Sequence, residues 1–389
     1  MLSELLVKRN IYESQNHELI GLMIDDFLKR EILPFHAEWE KNGKVSREIW
    51  EQTGTQGLLC IDVPEKYGGV GFDFSFSALF IEKLANFGIT GPGFSLHSDI
   101  IANYIVKYGT EAQKNSYLPA MSQGTKIGAI AMTEPDCGSD LSNIKTTAVD
   151  KGSYYLVNGQ KIFITNGLLC DFAIVAVKTP NASQKDSITL LLMDATAEGF
   201  QKGTTFKKLG MHAQDTCTLF FDNVKVPKEQ VLFEEGKGFQ LMMNELSRER
   251  LTIAIASAGM AKGAIEETIK YTTIRKAFKK PIAGFQNTQF KLAECATQLQ
   301  IHQAFIDQCI ALEIRGELSA ESAAIAKCSA SEMSTNIIDE CLQLFGGYGY
   351  MWEYPIARRF ADNRVAKIYG GTNEIMKILI AKKLLEGHI

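Results

Sequence analysis

The sequence predicts an α+β chain in three parts, helical, then β, then helical again, and three observations carry that expectation. The chain has 389 residues, too long for one typical domain. Toward both ends, apolar residues recur at three- and four-residue spacing, the period of a helix. Between them lie short β-branched and aromatic runs separated by turn residues, the texture of strands.

Taken in order, residues 1–125 read as a helical N-terminal domain. "HELIGLMIDDFLKREIL" carries the helical period, and Pro34 is expected to interrupt it. "VPEKYGGVG" (63–71) reads as a loop, after which helices resume through "SALFIEKLANFG" and "DIIANYIVKYG". Residues 126–235 read as a β-domain, with strands in "GAIAM", "SYYLVNGQKIFIT", "FAIVAVKT", "SITLLLMD" and "CTLFFDNVKV". Asn158-Gly159 predicts a hairpin turn, and five or six short strands predict a compact barrel or sandwich. Residues 236–389 read as helical: no proline lies between Pro281 and Pro355, and Gly346-Gly347 offers a helix stop.

Composition narrows the function. A net charge of −4 gives no reason to expect nucleic acid as the main partner. The longest apolar runs fall far short of a membrane span, and the N-terminus lacks the marks of a signal peptide. Eight cysteines are scattered without CxxC spacing, which suits reduced thiols in a cytoplasmic protein. Six dispersed histidines and the lack of HExxH give no metal site. Neither a Walker A loop nor GxGxxG is present, so any dinucleotide must be held another way.

Four stretches carry chemistry. In "GAIAMTEPDCGSD" (128–140), the Thr133 hydroxyl and strand-end N–H groups suit the edge of a flat heteroaromatic ring, although an ordinary strand exit looks the same. In "KIFITNG" (161–167), Phe163 and Thr165 suit stacking on and bonding to such a ring, while the local pattern alone puts Phe163 in a hairpin core. "RKAFKKPIAGFQ" (275–286) sets Arg275, Phe278 and Gln286 where a guanidinium and an aromatic suit pyrophosphate and adenine. A solvated basic helix end explains that stretch equally well. "QLFGGYGYMWEYPIARRFAD" (343–362) clusters glycines with Tyr348, Tyr350, Trp352 and Tyr354, more than a helix cap requires.

Together with "VPEKYGG", "KLGMHAQDT" and "IYGGTNEI", in this order, these stretches resemble the acyl-CoA dehydrogenase family over nearly the whole chain, and among its subtypes the long-chain members most. The resemblance implies a helical N-terminal domain, a middle β-barrel and a C-terminal four-helix bundle. It implies FAD between the β-domain and the bundle, partly gripped by a neighbouring subunit of a tetramer. Carried over by position, Met132, Thr133, Phe163 and Thr165 would face the flavin, and Ser139 would sit beside flavin or substrate. Arg275, Phe278, Gln286, Gln343, Gly346 and Gly347 would hold the ADP part, with Thr372 and Glu374 also touching the cofactor. Ser139, Ser247, Arg250 and Gly370 would border the substrate. Acyl-CoA and an electron-transferring flavoprotein are the implied partners. Two positions depart from the pattern: Lys279 replaces a glycine, and His212 replaces the more usual Arg or Lys.

One expected group is missing. Removing a weakly acidic thioester α-proton needs a positioned base whose pKa is raised toward neutrality. Many members place a Glu where this chain has Gly370, which has no side chain. A minority, including the isovaleryl and long-chain types, carry the base on an earlier helix, and in "NELSRERLTIA" the matching position is Glu249. Glu245, one turn earlier, is the internal competitor. Flanked by Arg248 and Arg250, Glu249 by itself reads as an ion-pairing surface residue. The Gly370 N–H is the expected donor to the thioester carbonyl. The reading that results is FAD-dependent α,β-dehydrogenation of a medium-to-long-chain acyl-CoA. The alternatives are an isovaleryl-type branched substrate, an acyl-CoA oxidase, and a flavin-binding relative without this activity.

Overall fold

The computed structural model describes residues 2–179 and 187–386, so Met1 and the end of "AKKLLEGHI" lie outside the described residues. The N-terminal helices are α1 (Leu2–Leu5), α2 (Gln15–Phe27), α3 (Leu33–Asn42), α4 (Glu48–Thr55), α5 (Phe74–Asn86), α6 (Ala102–Tyr108) and α7 (Glu111–Ser122). Pro34 does not break the path from α2 to α3. A π-helical turn at Leu28–Ile32 takes up the mismatch, with Leu33 N–H bonding Leu28 O, and Pro34 falls in the first turn of α3. Its missing N–H is one that a helix start leaves unpaired in any case.

Among the described residues seven strands form the middle domain: β1 (Gly128–Ala131), β2 (Thr147–Asp150), β3 (Tyr154–Thr165), β4 (Phe172–Lys178), β5 (Ile188–Asp194), β6 (Phe200–Lys202) and β7 (Thr216–Pro227). They make one mixed sheet, in the order β1-β4-β2-β3-β7-β6, with β5 paired to β4. Alternation along β4 and β5 explains its curl around a core. Ala173, Val175, Val177, Leu191 and Met193 pack inward with Val157, Leu219 and Val224. Phe172, Ile174, Leu190 and Leu192 face the other way, onto Tyr104, Ile105 and Leu118 of the helical domain. Strands covered on both faces read as continuous apolar runs, which is why "FAIVAV" and "ITLLLM" show no polar alternation.

Asn158-Gly159 is not a hairpin turn. β3 runs straight through it, and the register against β7 shifts between Val157 and Gly159. The pair marks a bulge. Gly159 takes φ +147°, and a Cβ there would lie 2.5 Å from Thr146 Oγ1. The Asn158 side chain accepts the Asn223 N–H at 2.9 Å across the bulge.

The C-terminal part holds α8 (Gly238–Ile274), a small hairpin of β8 (Lys276–Ala277) and β9 (Lys280–Pro281), then α9 (Gln286–Ile314), α10 (Ala320–Phe345), α11 (Pro355–Asn363) and α12 (Asn373–Leu384). Helices α8, α9, α10 and α12 make the bundle, with α10 against the other three. The stop at Gly346 is as expected, with φ +57°. Helix α8, about 55 Å long at 1.5 Å per residue, ties the parts together because it also packs along α5. Two glycines permit that approach: a Cβ on Gly259 would lie 2.5 Å from Glu82 O, and one on Gly263 would lie 2.2 Å from Asn86 O.

Gly263→Ala is therefore expected to separate α5 from α8 and cost about 1–3 kcal/mol, seen as a lowered Tm in calorimetry. An unchanged Tm would show that the contact yields more easily than the backbone geometry indicates.

Candidate active site

Where the end of β3, the α5 region, α8 and the loop before α12 meet, they enclose a cavity of about 310 Å³. Phe163 and Thr165 line it from β3, Glu249 and Ile253 from α8, and Tyr369 and Gly370 from the loop. A second cavity, about 340 Å³, shares Asp362 with it and is lined by charged groups, among them His36, Glu40 and Arg358. Only the first contains the expected base.

Glu249 is half-buried and forms no ion pair among the described residues. Among the described residues its carboxylate accepts one hydrogen bond, from the Tyr104 hydroxyl, which donates to Oε1 at 3.3 Å. Burial is the main cause that lifts its pKa to about 7, with Glu245 adding to the rise; Tyr104 and Arg250 act against it. The sequence reading of a surface ion pair fails because Arg248 is engaged elsewhere and Arg250 does not come within ion-pair distance of the Glu249 carboxylate. Arg248 meets Asp62 and lies 3.9 Å from Asp99 and 3.7 Å from Glu313. Arg250 is buried, and its Nε has no hydrogen-bond partner.

Glu245 is set apart from the base role by its partners. It accepts from Lys107 Nζ at 2.9 Å, the Tyr108 hydroxyl at 2.7 Å and the Asn103 amide. Its oxygens are thus already occupied by a cation and two other donors, and it does not line the cavity.

Position 370, the place to which the resemblance points for a carboxylate, is closely walled. Its φ is +63°, and a Cβ there would lie 2.4 Å from Ile253 Cδ1. Ile253 stands one helical turn after Glu249, on the same face. One face of α8 thus supplies a carboxylate and fills the space that a side chain at 370 would need. The Gly370 N–H donates to no acceptor among the described residues and borders the cavity.

Opposite α8, the two β-domain signatures are locked together. Lys161 and Glu134, both buried, pair at 2.7 Å, Lys161 Nζ also donates to Met132 O at 3.0 Å, and Ile162 N–H donates to Thr133 O at 2.9 Å. Phe163 is not in a hairpin core. The register shifts between Lys161 and Ile164, Phe163 takes φ +61°, and its ring is 63% exposed over the cavity mouth. Met132 and Thr133 are half-buried beside it, and Ser139 is exposed in the following loop.

The remaining predicted positions fall in two other places. Arg275, Phe278, Gln286, Gln343, Gly346 and Gly347 lie exposed at one end of the bundle, away from the cavity lining. There Arg275 sits 5.3 Å over the Tyr348 ring, and Phe278 is 92% exposed. Phe278 and Lys279 both take positive φ, +48° and +69°, in the turn between β8 and β9. Lys279 holds a left-handed conformation that glycine adopts without strain, so the turn survives the departure. His212 stacks on Trp352 at 4.9 Å, which accounts for a ring at that position. Thr372 caps α12 by accepting the Ile375 N–H at 3.4 Å, and Glu374 is exposed in its first turn. Ser247, half-buried on α8, does not line the cavity, and neither does Arg250. Sequence reasoning missed Tyr104 and Ile253; the spacing of 249 and 253 was a signal for the latter alone.

These groups suit a flavin: an open aromatic ring, strand-end polar groups and a buried Ser257 hydroxyl with no partner, in one cavity. Elsewhere, Cβ positions at Gly346 and Gly347 would meet nothing within 4 Å, leaving backbone open to a ligand. A carboxylate poised near neutrality in an apolar cleft describes an enzyme that removes a weakly acidic proton.

The comparisons name the family. Models for the acyl-CoA dehydrogenase N-terminal, middle and C-terminal domains match residues 14–125, 129–224 and 236–385. A mouse long-chain specific mitochondrial acyl-CoA dehydrogenase is 47% identical over 97% of this chain and 88% of its own. A short-chain specific relative from Clostridium acetobutylicum is 33% identical over 95% and 98%. The crystal structure of an acyl-CoA dehydrogenase from Geobacillus kaustophilus superposes with a TM-score of 0.94 at 44% identity, covering 97% of this chain and 100% of that one. The chain belongs to the acyl-CoA dehydrogenase family.

The folded pKa of Glu249, about 7, lies above the ordinary 4.5. The fold therefore disfavours its ionised form: the penalty is absent below the ordinary value and grows as pH rises through the interval. Glu249→Gln is expected to have a higher Tm than the parent protein at pH about 8, with the gap closing near pH 5. Equal Tm values at both would show that the carboxylate is not desolvated.

Proposed function

We propose that this protein is an FAD-dependent dehydrogenase of straight medium-to-long-chain acyl-CoA thioesters. It forms the trans-2-enoyl-CoA and passes the electrons to an electron-transferring flavoprotein. The observation that carries this reading is the pairing of Glu249 and Gly370 in one cavity, with Ile253 where a side chain at 370 would go. Bound FAD supplies the acceptor for the hydride that leaves the β-carbon. Phe163, Thr165, Met132 and Thr133 hold the ring; Arg275, Phe278, Gln286, Gln343, Gly346 and Gly347 hold the ADP part, with Thr372 and Glu374 at its edge.

Glu249 takes the α-proton on its carboxylate. Desolvation raises its basicity, so that proton transfer at neutral pH is close to balanced. Tyr104, donating to Oε1, holds the carboxylate in place. The Gly370 N–H stabilises the oxygen on which negative charge develops, and such a donor acts more strongly on the transition state than on the substrate. Ser139, exposed in the loop after β1, would border the CoA moiety, whereas Ser247 and Arg250 lie off the cavity lining and are not assigned to the substrate.

Apolar walls from Ile81, Leu84, Leu96 and Ile100 support an unbranched acyl chain, as does the likeness to the long-chain relative. The base on α8 equally serves an isovaleryl-type substrate, the second reading. Exposed Phe278 and Tyr350 support burial against further copies, in a tetramer. Eight free thiols support a reducing, cytoplasmic setting. No described helix is long and apolar enough to cross a membrane.

The test is anaerobic bleaching of the flavin absorbance by short, long and branched acyl-CoAs. The parent protein should bleach best with a long straight chain, and Glu249→Gln should bind acyl-CoA yet bleach more than about 10³-fold slower. A variant as fast as the parent places the base elsewhere. The bleaching rate should rise with pH through about 7, as Glu249 ionises. Tyr104→Phe removes a donor to the ionised form, so this limb should move to higher pH. A limb that stays put, or moves down, would show that Tyr104 does not act on the base.

A further inference from the structure

Lys327, on α10, is completely buried, and no carboxylate pairs with it among the described residues. Burying an ammonium without a counter-charge is costly, so its hydrogen bonds must do something specific. It makes two. Lys327 Nζ donates to the Gly371 carbonyl at 2.8 Å and to Asn373 Oδ1 at 3.0 Å. Asn373, itself buried, donates onward to Ser331 Oγ at 3.0 Å, again on α10. The chain is thus clasped on the C-terminal side of Gly370, from Gly371 to the first residue of α12.

That clasp lies where the backbone is least restrained by its own chemistry. Gly370 and Gly371 take φ of +63° and +87°, and glycines in the left-handed region have no side chain to fix them by packing. A hydrogen-bond donor that stabilises developing charge is effective only when held in place before the reaction. Here the holding group is itself a cation. Arg250 of α8 is a second buried cation close enough to depress the Lys327 pKa, which burial first of all, and then Arg250, bring down to about 8. The groups acting the other way are Cys328 on α10 and Glu374 on α12. The loop that carries Gly370 therefore rests on a buried positive charge.

Resting on the reading of the cavity given above, we propose that Lys327 is a positioning residue of the dehydrogenation. Its charged clasp on Gly371 and Asn373 fixes the Gly370 N–H against the thioester oxygen.

The experiment uses flavin-loaded Lys327→Met, Lys327→Arg and Asn373→Ala. For each, flavin content, Tm, the Kd of a saturated acyl-CoA and the bleaching rate from pH 6 to 10 are measured. For Lys327→Met the expected result is retained flavin, a Kd within about threefold, and bleaching at least about 10-fold slower, below the 10²–10³ of deleting a donor outright. Lys327→Arg should recover most of the rate, and Asn373→Ala should fall between. Parent bleaching should decline above pH about 8 as Lys327 loses its charge, and in Lys327→Arg that decline should move to higher pH. Bleaching by Lys327→Met within twofold of the parent would overturn the proposal. So would a loss of rate that only follows lost flavin and lowered Tm and that arginine does not rescue. Should Lys327→Met not fold, Lys327→Arg decides, since an unchanged alkaline limb in it overturns the proposal. Failure of the parent protein to bleach with any acyl-CoA is separate: it sinks the reading of the cavity beneath.

Discussion

The proposed site depends on keeping one carboxylate, Glu249, out of a direct ion pair. A carboxyl group paired with arginine would have its pKa pulled down and would be a poor base near pH 7. The fold avoids this although arginines flank Glu249 on both sides. Arg248 turns to other partners, where Asp62, Asp99 and Glu313 surround it and the Phe74 ring lies 4.5 Å from its guanidinium. Glu245 is likewise taken out of play by Lys107 and Tyr108. What remains at Glu249 is one long hydrogen bond from Tyr104, enough to orient it.

Helix α8 makes this arrangement possible because it belongs to two environments at once. Its first turns pack under β5 and the N-terminal helices, and its later turns form the bundle core with α9 and α10. Gly259 and Gly263 bring it close enough to α5 to close the cavity wall. Ile253 then couples the two candidate places for a base. With its Cδ1 in the space above Gly370, a side chain at 370 would have to displace it and hold a left-handed backbone, whereas a base on α8 needs neither.

Much of the fold was legible in the sequence because it follows from periodicity. The helical ends, the strand-rich middle and the stop at Gly346 all come from local pattern. Misreadings arose where a local signal has two tertiary solutions. Asn158-Gly159 prefers left-handed or extended glycine geometry, which serves a bulge as well as a hairpin turn, and pairing with β7 decides. Pro34 forbids one hydrogen bond, not a helical path, and a π-turn removes the conflict. Phe163 alternates like a core residue until a register shift turns it outward.

By itself the sequence determined the three-part order, the missing side chain at Gly370 and the candidacy of Glu249. These rest on residue identity and order along the chain. Only the tertiary structure sets Glu245 apart from Glu249, the proposed base, since both lie on one helical face and only their neighbours differ. It also revealed Tyr104, Ile253 and Lys327, which act from 145 positions before the base to 78 after it. Burial, hydrogen-bond partners and excluded space are properties of residues distant in sequence and adjacent in space, and no periodicity records them.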